Sequence, residues 1–192
     1  MRLRRALALV VMDVTVMVLA VSHAAPAGAV PVLFTDGTQD VGDRRADIAS
    51  VSFDQDGASL VVGVRMVEFA DPRTDYFWRD PRASSLVEVK VDRDNDNKAD
   101  YLIDFFRVRV NRTTTTLAVQ VTSTTALAVR CNGSYTLDPK GGWVTLRVPK
   151  TCVPATAPYR VQTMYSFNRS AERPTLSPVV DFAPDFGRWH PR

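Results

Sequence analysis

The feature that most constrains this chain is a two-residue period of apolar side chains that returns along most of its length. Leu60, Val62, Val64 and Met66 form one such run, and Val87, Val89 and Val91 form the next, with Glu88 and Lys90 between them. Phe106, Val108 and Val110 alternate with Arg107 and Arg109. Leu117, Val119 and Val121 repeat the pattern, as do Val144, Leu146 and Val148. Successive side chains of a strand point to opposite faces, so this alternation specifies half-buried antiparallel strands. The runs are short, and turn-forming clusters such as Asp54-Gln55-Asp56-Gly57 separate them at fairly regular spacing. No convincing 3.6-residue stripe competes with them after the N-terminal segment. The expectation is an all-β domain of about nine strands, an antiparallel β-sandwich of jelly-roll type. Threonines Thr113–Thr116, Thr122, Thr124 and Thr125 suit exposed strand faces. The tail from Pro184 onward reads as irregular.

The N-terminus reads differently. Arg2, Arg4 and Arg5 precede an apolar run from Ala6 to Ala20, and Ala27-Gly28-Ala29 follows. A basic stretch, an apolar stretch and a small-x-small site are the parts of a secretory signal peptide. Cleavage is expected after Ala29, with Ala24-Ala25 as the alternative. A membrane-spanning helix needs about 20 predominantly apolar residues, and Ala6–Val21 is shorter and carries Asp13. Arg4-Arg5 permits a twin-arginine signal, although the flanking residues match one poorly. The chain thus divides into a signal peptide, 1–29, and a single domain, 30–192, and is expected to be secreted. Its arginine excess over four lysines, with much Ala and Val, fits a GC-rich bacterial genome, where the sequons at Asn111, Asn132 and Asn168 carry no glycan.

The leader holds three of the 24 basic and one of the 21 acidic residues, so 30–192 carries 21 and 20. A near-neutral domain has no electrostatic footprint for nucleic acid, and no basic run or amphipathic helix points to a membrane surface. Cys131 and Cys152 both lie in the mature part, where a pair most often forms a disulfide. Asp138-Pro139-Lys140-Gly141-Gly142, about midway between them, is a turn signal. A hairpin folded there places the cysteines opposite each other at its neck, and closing that loop adds roughly 3 kcal/mol.

The sharpest local signal is Asp92-Arg93-Asp94-Asn95-Asp96-Asn97-Lys98-Ala99-Asp100, with carboxylates at loop positions 1, 3, 5 and 9. Calcium takes about six to eight oxygens. Asp92, Asp94 and Asp96 can point at one centre, Lys98 can give a backbone carbonyl, and Asp100 can close the cage directly or through water. Asn97 stands where glycine is usual, and asparagine tolerates the left-handed conformation. The loop resembles the D-x-D-x-D-G-x-x-D calcium loops of EF-hand and FG-GAP type. Ile103 at position 12 and strand-like flanks, Leu86–Val91 and Tyr101–Val110, depart from the EF-hand and resemble the FG-GAP hairpin. The alternative is a solvated Asp/Asn turn, although four aspartates in one short loop repel one another without a cation.

A second acidic set, Asp36, Asp40, Asp43 and Asp47, surrounds the expected first strand. Thr35-Asp36-Gly37-Thr38-Gln39-Asp40, with the strands that follow to Met66, resembles the opening of secreted DOMON and family 9 carbohydrate-binding modules. That resemblance implies a jelly-roll sandwich with a ligand-binding role. Turn chemistry explains the same aspartates without it. Asp181 and Asp185 near the end of the chain have no role assigned by sequence.

Enzyme signatures are lacking. The one histidine after the leader, His190, sits beside the C-terminus, where a rigid triad is not built. Zinc needs several His or Cys ligands, and no Gly-rich phosphate loop occurs. Glycoside hydrolysis needs two spaced carboxylates, for which Glu68, Glu88, Glu172 and many aspartates are available. Tyr76-Phe77-Trp78, between Pro72 and Pro81, offers either a platform for a sugar ring or partner protein or a plug for one end of the sandwich. The sequence reading is a secreted, calcium-binding, non-catalytic module, for carbohydrate or as a structural or protein-interaction domain, with a hydrolase as the third alternative.

Overall fold

The period-2 runs become strands that turn their apolar sides toward each other across two sheets. A computed structural model describes residues 32–79, 85–111, 114–154, 160–167, 179–185 and 188–189. Residues 1–29, read above as a signal peptide, and Pro81, Asn168, Glu172 and His190 lie outside these.

The strands are β1 (Val32–Thr35), β2 (Ile48–Asp56), β3 (Ser59–Met66), β4 (Leu86–Asp92), β5 (Tyr101–Arg109) and β6 (Thr115–Ser123). They continue with β7 (Ala128–Asn132), β8 (Ser134–Asp138), β9 (Trp143–Pro149), β10 (Arg160–Phe167) and β11 (Val179–Ala183). A single helical turn, α1 (Tyr76–Arg79), lies between β3 and β4. The five-stranded sheet runs β1-β2-β3-β9-β8 and the six-stranded sheet β11-β10-β4-β5-β6-β7, all pairs antiparallel. The all-β sandwich expected from the alternation is what forms. It is assembled from hairpins and one four-strand meander, β4 to β7. Among the described residues no helix is long and apolar enough to cross a membrane.

Leu60, Val62, Val64, Val87, Val89, Val91, Val144, Leu146 and Val148 all lie in the core between the sheets, as their alternation demands. Strand β5 departs from expectation. Tyr101, Ile103 and Phe105 are its buried residues, whereas Phe106 and Val108 lie on the outer face and Val110 is exposed. Two equal alternations overlap here, and a one-residue choice of face inverts the whole strand. Pairing with β4 settles it, because Ile103 stands opposite Val89 and Phe105 opposite Val87. Arg107, inward by this choice, donates from its two terminal nitrogens to the Pro72 carbonyl at 2.6 Å and to Thr115 Oγ1 at 2.9 Å, while its Nε has no partner.

The disulfide Cys131–Cys152 forms, with a Cα–Cα separation of 6.0 Å, but not across a hairpin neck. The hairpin at Asp138–Gly142 is β8–β9, and Cys131 belongs to β7 of the opposite sheet. The chain crosses between sheets at Gly133. A Cβ there would lie 2.7 Å from the Arg147 carbonyl oxygen and 2.8 Å from Val119 Cγ1, so only glycine allows the crossing. The bridge therefore ties sheet to sheet rather than strand to neighbouring strand.

Candidate metal centre

Pairing of β4 with β5 aligns Val91 with Tyr101 and leaves residues 92–100 as the connecting loop. The Asp100 N–H donates to the Val91 carbonyl at 2.8 Å and closes its base. Aspartate side chains fold the rest. Asp92 Oδ1 accepts from Asn95 N–H at 2.7 Å, and Asp92 Oδ2 from Asn97 N–H at 3.0 Å. Asp94 Oδ1 accepts from Asp96 N–H at 3.3 Å, and Asp96 Oδ1 from Lys98 N–H at 2.8 Å. Asn95 and Asn97 adopt positive φ, 65° and 68°, which asparagine tolerates better than most residues. Asn97 is thus left-handed at the position where a glycine is usual.

Asp92, Asp94 and Asp100 each place one carboxylate oxygen within 4.8 Å of the other two. Asp96, the other carboxylate expected at the centre, is not in this group. The Asp96 carboxylate instead faces the Lys98 ammonium at 3.6 Å, and both side chains are largely exposed. Asp92 is fully buried and makes an ion pair with Arg160 at the start of β10. Burial alone would raise its pKa, but the Arg160 guanidinium and the N–H groups of Asn95 and Asn97 outweigh that and hold it below the usual carboxylate range. Asp100 accepts from Arg93 N–H at 2.7 Å. Three carboxylates thus come together in one loop that arginine already partly neutralises. The side-chain donors of the group are all carboxylate oxygens, the ligand type that hard cations take.

A second acidic group arises among aspartates that sequence reasoning read as turn chemistry or as the opening of a ligand-binding module. Asp36 and Asp40, between β1 and β2, meet Asp181 of β11, again with one oxygen each within 4.8 Å of the others. Asp47 at the entry to β2 is fully buried, and its Oδ2 accepts from Gln39 N–H at 2.6 Å. Asp43 stands apart, pairing with Arg45 at 3.0 Å. Burial first, then the Asp181 carboxylate, pushes Asp36 up to about 7. Burial likewise lifts Asp181 to about 6, against the N–H bond from Ile48 that lowers it. Asp181 is the residue that sequence reading missed, because no local pattern links it to a loop 141–145 residues earlier.

A third acid pair, Glu88 and Asp104, lies cross-strand on the outer face of the six-stranded sheet. Burial raises both, and the Glu88 charge adds to the rise at Asp104, which reaches about 6. Hairpin register counted outward from the acidic loop would have predicted this pairing.

The aromatic triplet is a plug more than a platform. Asp75 caps α1, its Oδ1 accepting from Phe77 N–H at 2.9 Å and Trp78 N–H at 3.3 Å. That turn sends Phe77 and Trp78 inward, 8% and 2% exposed, and leaves Tyr76 outside at 54%. Trp78 donates its indole N–H to the buried Tyr165 hydroxyl at 3.1 Å and stacks on that ring. Phe77 packs edge-on against Phe167, and the Arg45 guanidinium lies over both rings.

Compared with family models and with curated proteins, the sequence matches none.

Proposed function

We propose that the protein is an exported, non-catalytic β-sandwich module that binds calcium at the β4–β5 loop, the ion serving to stabilise the fold. The observation that carries this reading is the convergence of Asp92, Asp94 and Asp100 on one point within a loop whose backbone their own carboxylates have folded. Asp92 also belongs to the sheet frame through Arg160 of β10. A cation held there would bear on the β4–β10 pairing directly, which favours a stabilising role. The alternative, a carbohydrate-binding module, rested on an exposed three-ring platform. Burial of Phe77 and Trp78 leaves Tyr76 as the one exposed ring of the three, so a structural or protein-interaction role is the better supported of the two.

Thermal unfolding with calcium and with EDTA tests the loop. Binding to the native state alone should raise stability by about 2.7 kcal/mol at a hundredfold excess over Kd. Asp94→Ala should remove the contribution of this site. A calcium response that Asp94→Ala leaves wholly intact would reduce the loop to a solvated turn.

A further inference from the structure

A turn beside the acidic loop carries two features that calcium binding leaves unexplained. Residues 124–127 join β6 to β7, and Thr124 fastens them to the loop. Its N–H donates to the Asp100 carbonyl at 3.0 Å and its hydroxyl to the Ala99 carbonyl at 2.5 Å. Leu127 ends the turn, 85% exposed and with a φ of 48°. Among the described residues no other large apolar side chain is so exposed. A bulky residue is rare in the left-handed region, where glycine or asparagine is the usual choice. An exposed leucine also gains nothing from burial. Neither feature stabilises the chain on its own, and strain that a fold retains tends to mark a site of recognition. Val129 of β7, 54% exposed, adds a second apolar side chain at this end.

The charges nearby narrow the partner. Asp92, Asp94, Asp96 and Asp100 are matched one for one by Arg93, Lys98, Arg130 and Arg160. Arg160 pairs with Asp92, Arg93 with Asp100 and Lys98 with Asp96, while Arg130 lies over the ring of Tyr101, the first residue of β5. Acids and bases cancel, so a divalent cation in the loop turns this end positive. Calcium takes about six to eight oxygens, more than Asp92, Asp94 and Asp100 supply, so ligand oxygens can complete its shell. Anionic lipid headgroups offer both the charge and the oxygens, and the acyl boundary beneath them receives apolar side chains. Two apolar side chains make a small patch for a protein partner, but they suffice for a shallow wedge in a bilayer.

We propose that the β6–β7 turn and the calcium-loaded β4–β5 loop together dock the protein on a membrane surface bearing anionic phospholipid, with Leu127 as the inserting side chain. This rests on the calcium reading of the loop. Leu127 and Val129 enter between headgroups, while the ion, Lys98 and Arg130 face the lipid phosphates. Thr124 holds wedge and ion in one frame, since it donates to the backbone of Asp100, whose carboxylate belongs to the candidate site. No basic run announces this surface in the sequence, because Arg93 and Lys98, Arg130 and Arg160 come from three separate segments.

Co-sedimentation of the full chain with mixed phosphatidylcholine–phosphatidylserine vesicles, in calcium and in EDTA, tests this beside calcium calorimetry without vesicles. The calcium-dependent part of the binding is the quantity read, so the apolar N-terminal segment does not contribute. That part should be present, weaken as salt is raised and vanish on phosphatidylcholine alone. Leu127→Ser should lower it about tenfold or more, the transfer of one leucine side chain, and leave calcium affinity unchanged. Leu127→Gly should weaken docking likewise while raising Tm, because glycine relieves the strained φ. The proposal is overturned if calcium binds but the mixed vesicles are not bound, or if Leu127→Ser binds them as tightly as the parent. Equal binding to phosphatidylcholine alone would also overturn it, as would calcium-dependent self-association without vesicles, which puts a second copy in the place of the membrane. Absence of calcium binding in calorimetry would instead sink the reading of the loop itself, so the two failures are distinguishable.

Discussion

At Asp104, burial and the Glu88 carboxylate across the strand act in the same direction, lifting its pKa from 3.8 to about 6. A carboxylate whose folded pKa is raised favours the fold fully below its unfolded value. That contribution is lost as pH rises through the folded value, here between 3.8 and about 6. Asp104→Asn is therefore expected to stabilise the protein near neutral pH by about 1 kcal/mol, after discounting for solvent screening. At about pH 4 the gain should nearly vanish. Urea unfolding of both proteins at the two pH values checks this, and an equal effect at both would refute the charge argument. Trp78 is the other decisive single residue. Its burial against Phe105 and Tyr165 predicts that Trp78→Ala costs about 3–5 kcal/mol. Equilibrium denaturation measures that loss, and a near-neutral substitution would instead argue for a surface ring.

Among elements, the β7–β8 crossing is the most demanding. Gly133 passes between Arg147 and Val119, and its N–H donates to the Val119 carbonyl at 2.9 Å. A methyl group there meets a backbone oxygen that cannot turn aside. Gly133→Ala should destabilise by about 1–3 kcal/mol through overpacking and displace β8 from its sheet. Denaturant titration gives the energy, and amide exchange in β8 locates it. The β4–β5 hairpin shows how much of a site one element can specify. Asp92, Asp94 and Asp100 converge because they share one short loop, so the sequence alone placed them. Asp96 belonged to the same expectation, but its carboxylate accepts from Lys98 N–H and faces the Lys98 ammonium instead of the centre.

For the molecule as a whole, cross-links between sheets matter more than those within them. Reading Cys131–Cys152 as a hairpin staple placed the bond correctly and its mechanical role wrongly. Because it spans the sheets, replacing both cysteines by alanine should lower stability by about 3 kcal/mol through chain entropy. It should also loosen the β7–β8 edge while sparing the β4–β10 pairing. Thermal unfolding and residue-resolved amide exchange together check this, and uniform loss of protection across both sheets would count against a local staple.

Period-2 alternation determined the all-β class, the membership of most of the core and the β4–β5 loop, because these rest on neighbours in sequence and on the pleat. The same local information could not choose the buried face of β5, since its two alternations are equally apolar and only pairing with β4 separates them. Nor could it bring Asp181 to Asp36 and Asp40, or carry the disulfide across the sandwich. Those depend on which sheet edges meet, and the approach of β11 to β2 and of β6 to β8 is decided only when the two apolar faces close on each other.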